Sequence, residues 1–593
     1  MYSSLKNVQI LLSLLKNNGI KHVVISPGGC NIPLVRSIEN DPFFVCFSVV
    51  DERSAAYFAI GISQSVHAPV VALCTSGTAV CNYSSGVTEA FYQGVPLVVV
   101  TADRHPYLYK QMETQKINQV DIFKDVTKKS VTLPVVLDDN DFWYCQRLVN
   151  EALLELNHHG TGPVHINIPT GVLGIPSDFL TKELPAVVTI KRIMTNDSKE
   201  VWAERVTELS SYKRIMVVVG QGRPYTEAEI TNFESFCKIY NCVLSVEHLS
   251  NLNCEGALIT YPVTEMLSAE ALESLLPDLI ISIGHNIAGA NIKGHFRSNK
   301  ARIKHWLIDE TGNVKDVFKS LTTIFECSVP HFFEYFAKNA TKESCNDGDY
   351  RRRWMNALDA IKVPDLPFSN MYVAQELAKK IPSSSLLHLG ILNSTRHMQF
   401  FNLNKSIEVF SNIGALGIDG SMSTFIGQAA VLDKLCFLLI GDLSFFYDMN
   451  SAGIRHVGGN VRIVMVNNGG GGEFHLLLRA TPYSRINDHI ATKHTATAKG
   501  WIESLGFRYY SATTKEELEV ALAGLVSASD VPIFLEVFTE IETDANITYQ
   551  IYSENTHEGV KSKSKGLVKT IAKTVLGDSA ADKAISVIKR MIK

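Results

Sequence analysis

Two short segments, 26 residues apart, combine residue types that can hold a divalent cation and a phosphate. Gly441-Asp442 closes one apolar run, LCFLLIGDLS, and Asn467-Asn468 closes the next, VRIVMVNNGG. A strand, a crossover and a parallel strand need about that length, so the spacing predicts Asp442 and Asn468 side by side at one sheet edge. Hard oxygen ligands at adjacent strand ends suit Mg2+, which takes one or two carboxylates together with substrate phosphates. The same residues also read as turn chemistry, because Gly, Asn and Asp favour tight loops. A further carboxylate, Glu52, follows an apolar run in SVVDERSAAYFAIGIS and opens an alanine-rich helix. It is either a helix-start acid favoured by the macrodipole or a reactive carboxylate presented beyond a strand end.

Elements able to position these groups recur along the chain. HVVISPGG, PVVALCTSGTAV and PLVVVTADR are β-branched runs that each end in Gly, Ser or Asp. RIMVVVGQG, NCVLSVEHL, LIISIGHN and RIKHWLID repeat the rhythm, as do LLHLGIL, IEVFSNIG and VPIFLEVF around the two segments above. Continuous apolar strands alternating with helical patterns predict parallel sheets buried on both faces, with ligands beyond the strand C-termini. The reading is an α/β chain of three doubly wound parallel-sheet domains at 1–182, 190–340 and 355–552. Polar linkers are expected near 181–186 and 338–349. Residues 553–593 form a basic, amphipathic helical tail, with nine Lys or Arg against two Asp after position 560. It is expected to pack on its own protein, bind a partner, or touch an anionic membrane surface weakly.

The composition narrows the class. Lys and Arg number 56 against 60 Asp and Glu, a net charge of −4 with no basic block in the main body, so no nucleic-acid footprint is expected. The 11 cysteines include no CxxC pair, which excludes zinc ribbons and fits a reducing cytoplasm. The N-terminal stripe Val8, Leu11, Leu12, Leu15 is helical and broken by Lys and Asn, unlike a signal peptide. No GxxxxGK[ST] loop occurs.

Taken together, Glu52, GDLS and NN resemble the thiamine diphosphate enzymes. Within that superfamily SPGGCNIPL, DERSAAYFAIGIS, TSGTAVCN, TADRHP, SNIGALGIDG and GDLSFFYDMN are similar to the menaquinone-pathway 2-succinyl-5-enolpyruvyl-6-hydroxy-3-cyclohexene-1-carboxylate synthases. The resemblance covers about residues 1–550 and implies pyrimidine-binding, central and diphosphate-binding domains in that order. It implies that Glu52 hydrogen-bonds the pyrimidine ring and promotes C2 deprotonation. It further implies that Asp442, Asn468 and the Gly470 carbonyl ligate Mg2+, that Gly441, Leu443 and Ser444 cradle phosphate, and that Thr78, Ile418 and Phe474 contact the cofactor. Ile418 would wedge it into a bent form. Because the superfamily builds each site from two subunits, a homodimer or a dimer of dimers is expected.

The substrate side departs from the family pattern. Gly29 and Cys30 stand where the family has a serine and an arginine, Ile413 replaces another arginine, and Ala290-Asn291 replace a lysine-arginine pair. Lys293 lies nearby as a substitute cation. Arg104, Gln115 and Arg396 align with substrate positions, Gln115 also as a catalytic candidate. Glu473 takes an aliphatic position beside the thiazolium, either turned to solvent or acting as a repelling or proton-donating acid. A charged hydrogen bond to a carboxylate is worth about 1.5–3 kcal/mol, so four neutralised positions should abolish binding of 2-oxoglutarate with isochorismate. The expected activity is decarboxylation of another 2-oxo acid with acyl transfer to an acceptor. The alternatives are a non-ligating decarboxylase, a true menaquinone-pathway synthase with a rearranged site, and an inactive cofactor-binding subunit.

Overall fold

The computed structural model describes residues 1–66, 68–171, 178–340, 346–414, 416–474 and 489–555; the basic tail lies outside the described residues, apart from its first three positions. The apolar runs form strands of three sheets. The first contains β1 (His22–Ile25), β2 (Val45–Ser48), β3 (Val70–Cys74), β4 (Leu97–Asp103), β5 (Lys129–Thr132) and β6 (Val164–Pro169) in the order β2-β1-β3-β4-β6-β5. All of its pairings are parallel. The second contains β7 (Lys191–Met194), β8 (Ile215–Val219), β9 (Val243–Val246), β10 (Ala257–Ile259), β11 (Leu279–Ile283), β12 (Lys304–Ile308) and β13 (Leu321–Glu326) in the order β10-β9-β8-β11-β12-β13-β7. The third contains β14 (Leu386–Leu389), β15 (Glu408–Ser411), β16 (Cys436–Gly441), β17 (Val461–Asn467), β18 (Arg508–Ala512) and β19 (Ile533–Phe538) in the order β15-β14-β16-β17-β19-β18. It too is parallel throughout. The fold is α/β, with helices between most successive strands.

Alternation along each strand builds a core on both faces. Val71, Leu73, Val98 and Val100 pack in one cluster, whereas Val70, Ala72, Leu97 and Val99 pack in the opposite one. In the third sheet Leu387, Phe437, Leu439 and Val464 face one way and Leu386, Leu438, Ile440 and Ile463 the other. Such strands carry no outward polar face, so their C-terminal ends are where polar side chains can emerge. The chain divides into two compact units, Met1–Arg192 with Asn313–Ile324, and Ile193–Gly312 with the described residues from Phe325 onward. The segment Asn313–Ile324, inside the expected central domain, thus groups with the first unit. Among the described residues no helix is long and apolar enough to cross a membrane.

Candidate active site

In the third sheet the strand order reverses between β14 and β16, the place where open α/β sheets bind ligands. A cavity of about 410 Å³ opens there, lined by residues following β14 (Gly390 to Ser394), β16 (Gly441 to Ser444) and β17 (Asn468, Gly470 to Phe474). Register pairs Gly441 with Val466, so the residues just beyond each strand end are neighbours. Asp442 is 3% exposed. Its Oδ2 accepts from the amides of Asn468 (3.1 Å), Gly469 (2.8 Å) and Gly470 (3.1 Å), and its Oδ1 accepts from Leu443 N (2.6 Å). Burial raises the Asp442 pKa, opposed by these amides and by His494, whose Nε2 lies 3.2 Å from Oδ2.

Asn468 is oriented from behind. Its Nδ2 donates to Asp544 Oδ2 at 2.9 Å, and Asp544 is itself fixed by Thr539 Oγ1 (2.8 Å) and by the Asn370 amide (2.8 Å). Burial pushes the Asp544 carboxyl up to about 6. Sequence reasoning missed Asp544, which lies in the first turn of the helix Ile541–Asn555. Glycine is needed in the loop: a Cβ on Gly470 would meet Ala491 O at 2.8 Å, and one on Gly472 would meet Asn468 Nδ2 at 2.9 Å. Ser444 Oγ donates to the Ile418 carbonyl at 2.6 Å, which ties that hydroxyl to the Ile418 backbone. Ile418, 37% exposed, presents an apolar side chain to the cavity, as do Leu443 and Phe474.

Glu473 lines the same cavity and is buried, not turned to solvent. Its Oε1 accepts from Arg396 Nη1 at 2.5 Å, and its Oε2 has no hydrogen-bond partner among the described residues. Burial opposes the Arg396 charge, but the Glu473 carboxylate beside it raises the guanidinium pKa above its ordinary value. The neighbouring His397, also in the lining, is pushed down to about 3 by burial and by Arg396. Further into the same unit, Glu247 accepts the amides of Ala288 and Gly289 (2.8 and 2.7 Å), and Glu265 accepts the Asn291 amide (2.9 Å). Lys293 Nζ donates to the Ile287 carbonyl at 2.8 Å. Ile413 is buried in the apolar core of the third sheet.

The remaining candidates sit in the first unit. Glu52 begins the helix Glu52–Val66 and is half-buried, with Asn82 Nδ2 donating to its Oε2 at 3.3 Å. Thr78 is exposed at the start of the helix Thr78–Asn82, just after Gly77 at φ +81°. Cys30 is 3% exposed beside Gly29, its amide bonded to Thr75 Oγ1 and its sulfur accepting from Ser76 Oγ. Arg104 is 4% exposed and paired with Glu113 at 2.6 Å. Gln115, at φ +59°, donates to the Ser76 carbonyl.

The donor chemistry at the β16 and β17 ends fits a magnesium diphosphate. Asp442 Oδ1, with one amide, keeps a lone pair; the Asn468 amide nitrogen is committed to Asp544, so its carbonyl oxygen is the group left for a cation; the Gly470 carbonyl, which accepts the Gly472 amide at 3.0 Å, keeps a second lone pair. Residues 5–122 match the family described as "Thiamine pyrophosphate enzyme, N-terminal TPP binding domain". The sheets, this match and the relatives below define a thiamine diphosphate-dependent enzyme. The chain is 38% identical over 567 residues to the 2-succinyl-5-enolpyruvyl-6-hydroxy-3-cyclohexene-1-carboxylate synthase of Bacteroides fragilis, covering 93% of this chain and 100% of that protein. The synthase of the same name from Phocaeicola vulgatus is 38% identical over 575 residues (95% and 100%), and that of Porphyromonas gingivalis 32% over 553 (91% and 95%). The chain belongs to this family of C–C bond-forming enzymes.

Proposed function

We propose that the protein is a thiamine diphosphate- and Mg2+-dependent carboligase that decarboxylates a 2-oxo acid and transfers the acyl group to an acceptor other than the menaquinone-pathway substrate. Bound at the third sheet, the cofactor supplies a carbon nucleophile and an electron sink for the pair released with CO2. Asp442, Asn468 and the Gly470 carbonyl would hold the metal, and the amides around Gly441 to Ser444 would offer donors to phosphate oxygens. Ile418 would give the cofactor apolar support. Glu52 would hydrogen-bond the pyrimidine and govern its proton. The observation that carries the cofactor reading is the oxygen set at the β16 and β17 ends, with Asn468 oriented by Asp544.

The choice of substrate rests on charge. Cys30, Ala290, Asn291 and Ile413 are neutral, and Arg104 is held by Glu113. The test is CO2 release from a panel of 2-oxo acids by protein loaded with thiamine diphosphate and Mg2+, followed by mass spectrometry of products with and without acceptors. Acyl adducts support the carboligase; an aldehyde alone makes the protein a decarboxylase. Efficient turnover of 2-oxoglutarate with isochorismate returns it to the reaction its relatives are named for, a reading favoured by the 38% identity along the chain. Glu52→Gln should slow CO2 release by about 10²–10⁴-fold while cofactor affinity, read by calorimetric titration, changes little. Normal turnover after Glu52→Ala would sink the assignment.

A further inference from the structure

The side chains around the proposed cofactor cavity bear on which 2-oxo acid would react there. Among the described residues the cavity lining contains no lysine or arginine. The cation next to it, Arg396, spends a guanidinium nitrogen on Glu473 at 2.5 Å, and both side chains are largely withdrawn from solvent, at 23% and 8% exposure. The second carboxylate oxygen of Glu473, in a residue that lines the cavity, is buried and has no hydrogen-bond partner among the described residues. A second carboxylate brought in by a substrate therefore meets a carboxylate oxygen where it would need a guanidinium. The same self-neutralisation recurs deeper in the unit. Lys293 is bonded to Ile287 O, and the amides of Ala288, Gly289 and Asn291 are capped by Glu247 and Glu265.

We propose that the Arg396–Glu473 pair is the donor selector of this enzyme, restricting it to 2-oxo acids whose only carboxylate is the one lost as CO2. The inference rests on the thiamine diphosphate reading of the cavity. Glu473 acts as the internal occupant of Arg396: a charged side chain on the donor would have to displace it and leave two carboxylates facing one guanidinium. An uncharged side chain makes no demand on the guanidinium and leaves the pair undisturbed.

The experiment compares pyruvate and 2-oxobutyrate with 2-oxoglutarate in the wild type, Glu473→Gln and the double variant Glu473→Gln/Arg396→Leu, all loaded with thiamine diphosphate and Mg2+. Two readouts are taken: kcat/KM for CO2 release, and the shift in melting temperature that each acid produces. The wild type should prefer the monocarboxylic acids in both. Glu473→Gln keeps the shape but frees the guanidinium, so the ratio should move toward 2-oxoglutarate by about tenfold or more, the worth of one charged hydrogen bond. Adding Arg396→Leu should abolish that gain. A wild type that prefers 2-oxoglutarate, or a folded Glu473→Gln protein with an unchanged ratio, overturns the proposal. If the variants fail to fold, the wild-type melting shifts alone decide it. Absence of CO2 from every acid in the wild type sinks the reaction assignment instead, while the melting shifts still test the selector.

Discussion

A carboxyl group buried with too little opposing charge keeps its proton late, and Glu265 is such a group. Burial pushes it up to about 7, against the pull of the Asn291 amide and of Arg396. The unfolded chain releases that proton near the ordinary glutamate value. Between the two the folded protein binds more protons, so its stability falls as pH rises through this window and the loss is complete above pH 7. Glu265→Gln retains an acceptor for the Asn291 amide and removes the titration. Urea unfolding should therefore find the variant more stable than wild type at pH 8 by on the order of 3 kcal/mol, with the advantage gone near pH 4. A difference that does not change with pH would mean that Glu265 ionises at its ordinary value. The sequence separates what could be foreseen from what could not at this scale. Asp442, Asn468 and Glu52 announce themselves by standing at the ends of apolar runs. Asp544 does not, because its partner Asn468 is 76 residues away. Arg396 and Glu473 are conspicuous singly, but their pairing across 77 residues is a tertiary fact.

At the scale of elements, one carboxylate organises a whole loop. Three successive amides, from Asn468 to Gly470, converge on Asp442 Oδ2, so the end of β17 is shaped by the end of β16. Gly469 at φ +78° makes the convergence possible without a side-chain penalty. Gly470→Ala would push a methyl group to 2.8 Å from the Ala491 carbonyl, a backbone atom that cannot swing aside. The loop must then shift by more than the tolerance of a metal site. We expect Gly470→Ala to cost about 1–3 kcal/mol of stability and to weaken Mg2+-dependent cofactor retention, measured by titrating Mg2+ at fixed thiamine diphosphate. Unchanged Mg2+ affinity in the folded variant would remove Gly470 from the ligand set. The strands legible in the sequence are the wholly buried ones, such as β3, β4, β16 and β17. The edge strands β5 and β18 are partly exposed and offer no continuous apolar run. β6 is fully buried yet escaped notice because His165 and Asn167 interrupt it; Thr101 Oγ1 lies 2.9 Å from each of these side chains, and that cross-strand pairing no periodicity reveals.

For the whole molecule, every residue assigned to the reaction, including Asp544 behind Asn468, precedes position 556, so deleting residues 556–593 should leave CO2 release unchanged. Loss of turnover in a folded truncated protein would show that the tail completes the site. The subunit arrangement admits a sharper test. We propose a homodimer or dimer of dimers whose active sites each combine Glu52 of one subunit with Asp442, Asn468 and Gly470 of another. Glu52→Gln and Asp442→Ala are each expected to be inactive alone, one lacking the pyrimidine contact and the other the metal ligand. In a hybrid dimer, one of the two sites receives both lesions and the other receives neither. Random exchange between equal amounts makes half the dimers hybrid, so mixing and reassembling two dead proteins should recover roughly a quarter of wild-type activity. If each site were built within one chain, every site in the mixture would carry one lesion and no activity would return. Co-expression with two different affinity tags, followed by sequential purification, isolates the hybrid and should bring recovery to roughly half. An inactive purified hybrid would rule out the shared-site arrangement.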